Sequence, residues 1–136
     1  MILDDDLEEI GMEAFAKCTS LLEISIPHSV QSIKDRAFAW CSKITTVNLG
    51  EGLEEIGEGA VLQFISLHEI LIPLTVKSIK EAAFLHCTQT TKVILCDGLE
   101  EIGLASFAEC TSLHEILIPH TVRVIKDRTF ARCSQL

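Results

Sequence analysis

The chain has 136 residues, of which 48% are hydrophobic and 5% aromatic, and its formal net charge at pH 7 is -9. This length predicts one domain with an aliphatic core. The acidic balance and the lack of a basic cluster argue against nucleic acids and anionic membrane surfaces as partners, because both carry negative phosphates. The apolar runs are far shorter than the ~20 residues that span a bilayer, so we expect no membrane insertion.

A period of 23 residues runs through the whole chain. Equivalent positions form columns, of which one is always isoleucine, one mainly phenylalanine and one mainly cysteine. The isoleucine column consists of Ile10, Ile33, Ile56, Ile79, Ile102 and Ile125. Such a repeat is typical of a solenoid, in which each repeat forms one coil stacked on the last. The sequence therefore predicts about six stacked coils in a single domain over residues 1–136.

The first predicted element of each coil is a half-buried strand. Residues 21–26 alternate between inward and outward positions with a period of two, and β-branched residues are frequent. Equivalent strands are predicted at 44–49, 67–72, 90–95 and 113–118. Stacked parallel strands lie ~4.8 Å apart, so we expect one continuous parallel sheet along the array. Proline ends the strand in alternate coils, because it cannot donate to the ladder.

A shorter strand and a turn segment follow in each coil. Val30 and Ile33 mark the short strand on the opposite wall. In the next segment, Ala37 and Phe38 are adjacent and Cys41 follows three residues later, a spacing that places the ring and the thiol on one inner face of a helical turn. We therefore predict a mainly parallel β architecture with short 3₁₀ or α-helical turns.

Neighbouring coils differ, so the full pattern repeats every 46 residues. Ile-Pro-x-Ser/Thr-Val-x-x-Ile-Lys, as at 26–34, alternates with Gly-Leu-Glu-Glu-Ile-Gly, as at 52–57. One outward column consequently alternates between acidic and basic or neutral residues: Glu8, Gln31, Glu54, Lys77, Glu100 and Arg123. Such exposed pairs contribute ~0.2–1 kcal/mol each and avoid stacking like charges. This pattern is structural and requires no catalytic role.

The motif Ile-x-Ile-Pro-x-Ser/Thr-Val-x-x-Ile-x-x-x-Ala-Phe-x-x-Cys resembles the BspA-type leucine-rich repeats. It is nearly complete at 24–41 and at 116–133, where Thr129 replaces the alanine. The resemblance implies an α/β leucine-rich-repeat solenoid coiled as a right-handed superhelix. It also implies binding of proteins at surfaces, including adhesion, and no enzymatic activity. The resemblance is compatible with a location at the cell surface, but the sequence itself leaves the compartment open, since it shows neither a signal-peptide pattern nor a transmembrane segment.

The two ends lack a recognisable capping segment, which repeat arrays normally need for solubility. The chain begins inside one predicted strand and stops where the next should begin. We therefore expect either a piece of a longer array or self-association through the uncapped ends.

The residues that could carry chemistry have simpler explanations. The 23-residue spacing of the cysteines excludes zinc-finger and Cys-x-x-Cys motifs, and Phe64 replaces one of them, so we expect buried, unbridged thiols. Cys96 is the exception: its column is a turn position, and it should be the most exposed thiol. The histidines occupy outward columns. We predict no catalytic set, no cofactor and no metal site.

Two surface features suggest contact with another protein. Large apolar residues fill one outward strand column on adjacent coils, Leu71, Ile94 and Leu117, and charged residues fill the neighbouring column, Glu69, Lys92 and Glu115. An apolar stripe with a charged rim is typical of a protein-binding patch, unless another part of a longer protein covers it. Trp40 interrupts a polar column and is either a binding hot spot or incidentally half-buried.

The sequence therefore favours a non-catalytic module that binds another protein, of unknown identity, through its sheet face. The alternative is a structural or adhesive segment of a larger surface protein, with no discrete site.

Overall fold

The computed structural model describes all 136 residues as a parallel-strand solenoid of about five turns. Each turn contributes one short strand and one longer strand. The short strands are β1 Glu9–Ile10, β3 Ser32–Ile33, β5 Glu55–Ile56, β7 Ser78–Ile79, β9 Glu101–Ile102 and β11 Val124–Ile125. The longer strands are β2 Glu23–Ser25, β4 Thr46–Asn48, β6 Glu69–Ile72, β8 Lys92–Leu95 and β10 Glu115–Leu117. β11 is not followed by a strand of the longer kind. The structure therefore has about five turns, where the sequence predicted about six coils.

The short strands form one continuous parallel sheet in the order β1-β3-β5-β7-β9-β11. Each isoleucine pairs with the isoleucine of the next coil, as Ile33 does with Ile56. These side chains point inward, and those from Ile10 to Ile102 are no more than 1% exposed. Ile125 is 50% exposed because no coil covers it. The isoleucine column is therefore an internal seam of the core.

The longer strands form two sheets, β2-β4 and β6-β8-β10, so the prediction of one continuous sheet is wrong. Inward side chains at Ile24, Val47, Ile70 and Val93 are buried as expected, whereas Ile116, in the last long strand, is half-buried. The break lies between β4 and β6, which are neighbours without a ladder hydrogen bond.

Backbone hydrogen bonds locate this break. The amide of Thr45 donates to Leu22 O and that of Thr91 to His68 O, both at 2.9 Å, but the equivalent amide of His68 donates to no backbone carbonyl. This coil carries Phe64 in the cysteine column. The thiols of Cys41, Cys87 and Cys110 lie 3.1, 3.5 and 3.3 Å from carbonyl oxygens of the preceding coil. A phenyl ring cannot form this bond and needs more room, and we attribute the break to it.

The predicted helical turns are also wrong, because the structure contains no helix. The segment after each short strand is a run of successive β-turns separated by residues in the left-handed region, such as Arg36 at φ 55° and Trp40 at φ 63°. Alternate amides point in different directions. Ala37 N donates within its own coil to Lys34 O, whereas Phe38 N donates to Ala60 O of the next coil at 2.9 Å. The left-handed residues stop a helix from propagating and open a ladder between coils.

The core is a single cluster of aliphatic and aromatic side chains that runs along the solenoid axis. Phenylalanine rings stack between coils at centroid distances of 5.2 Å for Phe15–Phe38, 5.0 Å for Phe84–Phe107 and 5.7 Å for Phe107–Phe130. Val61 interrupts this stack in the coil that carries the buried Phe64. The solenoid therefore consists of two regular parts joined at one irregular coil.

Candidate protein-binding face

Leu71, Ile94 and Leu117, which we call the apolar stripe, occupy equivalent outward positions on β6, β8 and β10. Leu71 pairs with Ile94, and Ile94 with Leu117, in the strand register. Leu71 is 51% and Leu117 80% exposed, while Ile94, between them, is half-buried. Because these strands are hydrogen-bonded to one another, the three side chains stand in a fixed row.

The charged rim lies in the neighbouring outward column of the same strands. Lys92 Nζ is 3.8 Å from Glu69 Oε1, and Glu115 is in register with Lys92 on its other side. Both side chains of the Glu69–Lys92 pair are more than half exposed, so the pair contributes at most ~1 kcal/mol to stability. Its charges remain accessible to a partner.

The other half of the same face is polar. Ser25 on β2 and Asn48 on β4 occupy the column of the apolar stripe, and Asn48 Nδ2 donates to Ser25 Oγ at 3.3 Å. The change from polar to apolar coincides with the break between β4 and β6. The change was visible in the sequence, where this outward column turns from polar to large apolar residues. Nothing in the column predicted that the long-strand face would divide into two sheets at the same place.

Two further residues extend the description of the surface. Trp40 lies on a turn segment and not on the long-strand face, so the structure separates it from the apolar stripe. It is half-buried, and Lys17 Nζ lies 5.6 Å from its ring centroid in a cation–π contact.

Leu74, just beyond β6, is a large apolar residue that is 58% exposed and that the sequence analysis did not predict as part of the surface. All equivalent residues in its column are polar or charged, and this contrast could have identified Leu74 from the sequence: Asp5, His28, Glu51, Asp97 and His120.

All six cysteines are unbridged, as predicted. Cys41, Cys87 and Cys110 are buried, but Cys18 is exposed, so its predicted burial is wrong. Cys18 lies in the first coil, which has no coil before it. Cys133 is partly exposed, so its predicted burial is wrong as well. Cys96 is also partly exposed, but less than Cys18, and it is therefore not the most exposed thiol.

Three of the thiols that face the core have raised pKa values and are therefore unreactive. Burial raises the pKa of Cys41 and raises that of Cys133 to about 11. A side-chain hydrogen bond with Cys87, together with burial, raises the pKa of Cys110. These thiols stay protonated at neutral pH, whereas the nucleophile and metal ligand is the thiolate.

The charged side chains do not assemble into a metal site. No three histidine, cysteine, aspartate or glutamate side chains lie close enough to hold a metal ion together. The two histidine–carboxylate contacts, His86–Glu109 at 3.3 Å and His120–Asp97 at 3.4 Å, join neighbouring coils at the surface. No helix is long and apolar enough to cross a membrane.

Solved structures of bacterial leucine-rich repeat proteins resemble this chain. A leucine-rich repeat protein of Treponema pallidum superposes with a TM-score of 0.84 at 26% identity, over 96% of this chain and 72% of the other. A leucine-rich repeat protein from Bacteroides ovatus superposes with a TM-score of 0.71 at 30% identity, over 96% of this chain and 40% of the other. A leucine-rich cell surface protein of Faecalibacterium prausnitzii superposes with a TM-score of 0.79 at 26% identity, over 92% of this chain and 31% of the other. The chain thus spans less than half of the latter two.

Curated protein sequences gave no significant match. The sequence model of the BspA-type leucine-rich repeat region, in contrast, matches residues 8–136 in six copies. This match covers nearly the whole chain and agrees with the 23-residue spacing and with the parallel-strand solenoid. The chain therefore belongs to the BspA-type leucine-rich repeat family.

Proposed function

We propose that this chain is a non-catalytic module that binds another protein through the apolar half of its long-strand face. The observation that carries the proposal is the apolar stripe: three large apolar side chains stand in register on three hydrogen-bonded strands and remain exposed at its two ends. A contiguous apolar row with a polar rim marks an interaction surface.

The energetics favour a transient complex. Burial of three such side chains contributes about 4–9 kcal/mol before the cost of association. The row is held by ladder hydrogen bonds, so little conformational entropy is lost on binding. The alternating charges of Glu69, Lys92 and Glu115 contribute orientation and association rate more than affinity.

The family supports the proposal. BspA-type leucine-rich repeats are often related to surfaces or adhesion, and they are typically not enzymes. The Faecalibacterium relative is described as a cell surface protein, and a location at the cell surface would suit an exposed binding face. A structural or adhesive segment without a discrete site is the competing function, and the experiment below separates the two.

The test uses two lysine substitutions in the same outward column. Ile94→Lys places a charge in the middle of the apolar stripe, and Asn48→Lys places the same charge on the polar half. Proteins from a bacterial extract are captured on immobilised parent chain, and each one is then purified and measured by calorimetry. We expect at least tenfold weaker binding for Ile94→Lys and unchanged binding for Asn48→Lys, with both variants showing parental circular dichroism.

Equal binding by the parent chain and Ile94→Lys would contradict the proposal. An equal loss in both variants would indicate a general effect of charge on this face and would also count against the apolar stripe. Either result would favour the structural segment.

A further inference from the structure

We propose that the partner of the apolar stripe is a second copy of this chain, packed face to face with its long strands running antiparallel. This inference rests on the proposed function, because it names the partner of the same face. The two copies are related by a two-fold axis that lies within the interface, runs along the solenoid and passes over the apolar stripe. Each coil therefore meets the same coil of the other copy.

The observation that carries the inference is the charge at the two ends of the strands in the apolar half. β8 begins at Lys92, and Asp97 follows its end. β10 begins at Glu115, and His120 follows its end. All four side chains are exposed. A strand with an apolar centre, an acidic group at one end and a basic group at the other is complementary to itself when it is turned end for end. An unrelated partner requires no such relation between the two ends.

The spacing along the strand brings these groups together. In the antiparallel arrangement Ile94 lies on Ile94 of the second copy, and residues before it lie on residues after it. Lys92 precedes the apolar stripe by two positions, and Asp97 follows it by three. The offset of one position is ~3.3 Å, which the flexible four-carbon side chain of Lys92 spans.

The charges of two neighbouring strands complete each other across the interface. Within one copy Lys92 and Glu115 are in register on adjacent strands, and His120 Nδ1 lies 3.4 Å from Asp97 Oδ1. In the dimer, Lys92 meets Asp97 of the second copy, and Glu115 meets the imidazole of His120 of the second copy. Acidic and basic groups then alternate around a closed group of four. The two-fold axis places an identical group on the other side of the apolar stripe.

The same charges oppose the other face-to-face orientation. A two-fold axis that runs along the strands would make them parallel and reverse the order of the coils. Lys92 would then lie on Lys92 of the second copy, and Glu69 on Glu115. Like charges placed against each other cost binding energy, so the rim selects the antiparallel arrangement.

Two features limit the strength of the dimer. Glu69, at the start of β6, faces the region of Leu74 of the second copy, which is 58% exposed and offers no charge. Each copy also carries a formal net charge of -9, so the two copies repel each other at a distance. We therefore expect a weak, reversible dimer that forms as the protein concentration rises.

Sedimentation equilibrium of the full chain over a range of protein concentrations gives the dissociation constant of the dimer. Lys92→Asp and Asp97→Lys should each weaken the dimer at least tenfold, because each creates two like-charge pairs across the interface. The double variant Lys92→Asp/Asp97→Lys should return to within threefold of the parent chain, because the exchange of charges restores both pairs. Lys80→Asp makes the same change of charge on the opposite wall and should also stay within threefold.

A cross-link tests the register of the two copies. In the antiparallel arrangement, position 92 faces native Cys96 of the second copy, since the two positions lie equally far before and after Ile94. In a Cys18→Ser background, which removes the exposed thiol, Lys92→Cys should form a covalent dimer with oxidised glutathione. Addition of Cys96→Ser should abolish this dimer. A covalent dimer that persists without Cys96 would show that position 92 lies on itself and would overturn the antiparallel arrangement, as would the absence of any cross-link.

The dissociation constants decide between a second copy and a foreign partner. A chain that remains monomeric at all concentrations would overturn this inference, and so would a double charge variant that stays as weak as the single ones. The proposed function would survive either result if Ile94→Lys still lost a captured protein of another sequence. The two proposals therefore fail separately.

Discussion

The alanine column that lies between the coils shows how closely single residues are fitted. Four coils carry alanine there, whereas the last two carry Ser106 and Thr129. The Thr129 hydroxyl lies 2.7 Å from Lys126 O and 3.1 Å from Gly103 O and shares its single proton between these two acceptors. The Ser106 hydroxyl is fully buried and has no partner. A buried polar group without a hydrogen bond costs about 1–3 kcal/mol, so Ser106 weakens the core that contains it.

Ser106→Ala is therefore expected to stabilise the protein by about 1 kcal/mol, which corresponds to a rise of roughly 2–4 °C in the midpoint of thermal unfolding. Thr129→Ala, in the same column of the next coil, is the matched control and should lower the midpoint because it removes the hydroxyl that donates to these carbonyl oxygens. Differential scanning calorimetry measures both. A lower midpoint for Ser106→Ala would show that its hydroxyl is satisfied in solution.

Residues that are apolar in every repeat were predictable from the sequence. The isoleucines from Ile33 to Ile102 are buried because each lies between two coils, and Ile10, on the edge strand of the first coil, is buried as well. Cys18 and Ile116 depart from expectation for a different reason. Exposure depends on whether a neighbouring coil is present, and the column shared by equivalent residues contains no such information.

The turn segments show where sequence reasoning fails for an element. The three-residue spacing of Phe38 and Cys41 places both side chains inward in a helical turn, and successive β-turns do the same. Only the backbone dihedral angles distinguish the two, and a left-handed residue such as Trp40 is not recognisable from its type. The division of the long-strand face was unpredictable for a similar reason, because it shows only in the missing backbone hydrogen bond at His68.

Amide hydrogen exchange tests this division. We expect the amide of His68 to exchange at least tenfold faster than those of Thr45 and Thr91, which occupy equivalent positions and donate to the preceding coil. Nuclear magnetic resonance of the native chain resolves the three sites. Equal protection at all three would mean that β4 and β6 pair in solution and that the face is one sheet.

At the scale of the whole molecule, the long-strand face has two chemically different halves. It is polar on β2 and β4 and apolar on β6, β8 and β10. Alternating side chains along predicted strands were enough to place Leu71, Ile94 and Leu117 in one row. The partner of that row was not predictable, because exposure and rigidity make a surface suitable for binding without selecting what binds there.

Methyl resonances observed while a captured partner is titrated into the chain give the most direct test of the proposed binding face. The methyl groups of Leu71, Ile94 and Leu117 should shift with the same dissociation constant. Those of Leu22 and Leu104, which are 59% and 36% exposed elsewhere on the solenoid, should remain in place. Shifts at Leu22 or Leu104, with the three methyl groups of the apolar stripe unchanged, would contradict binding through this face.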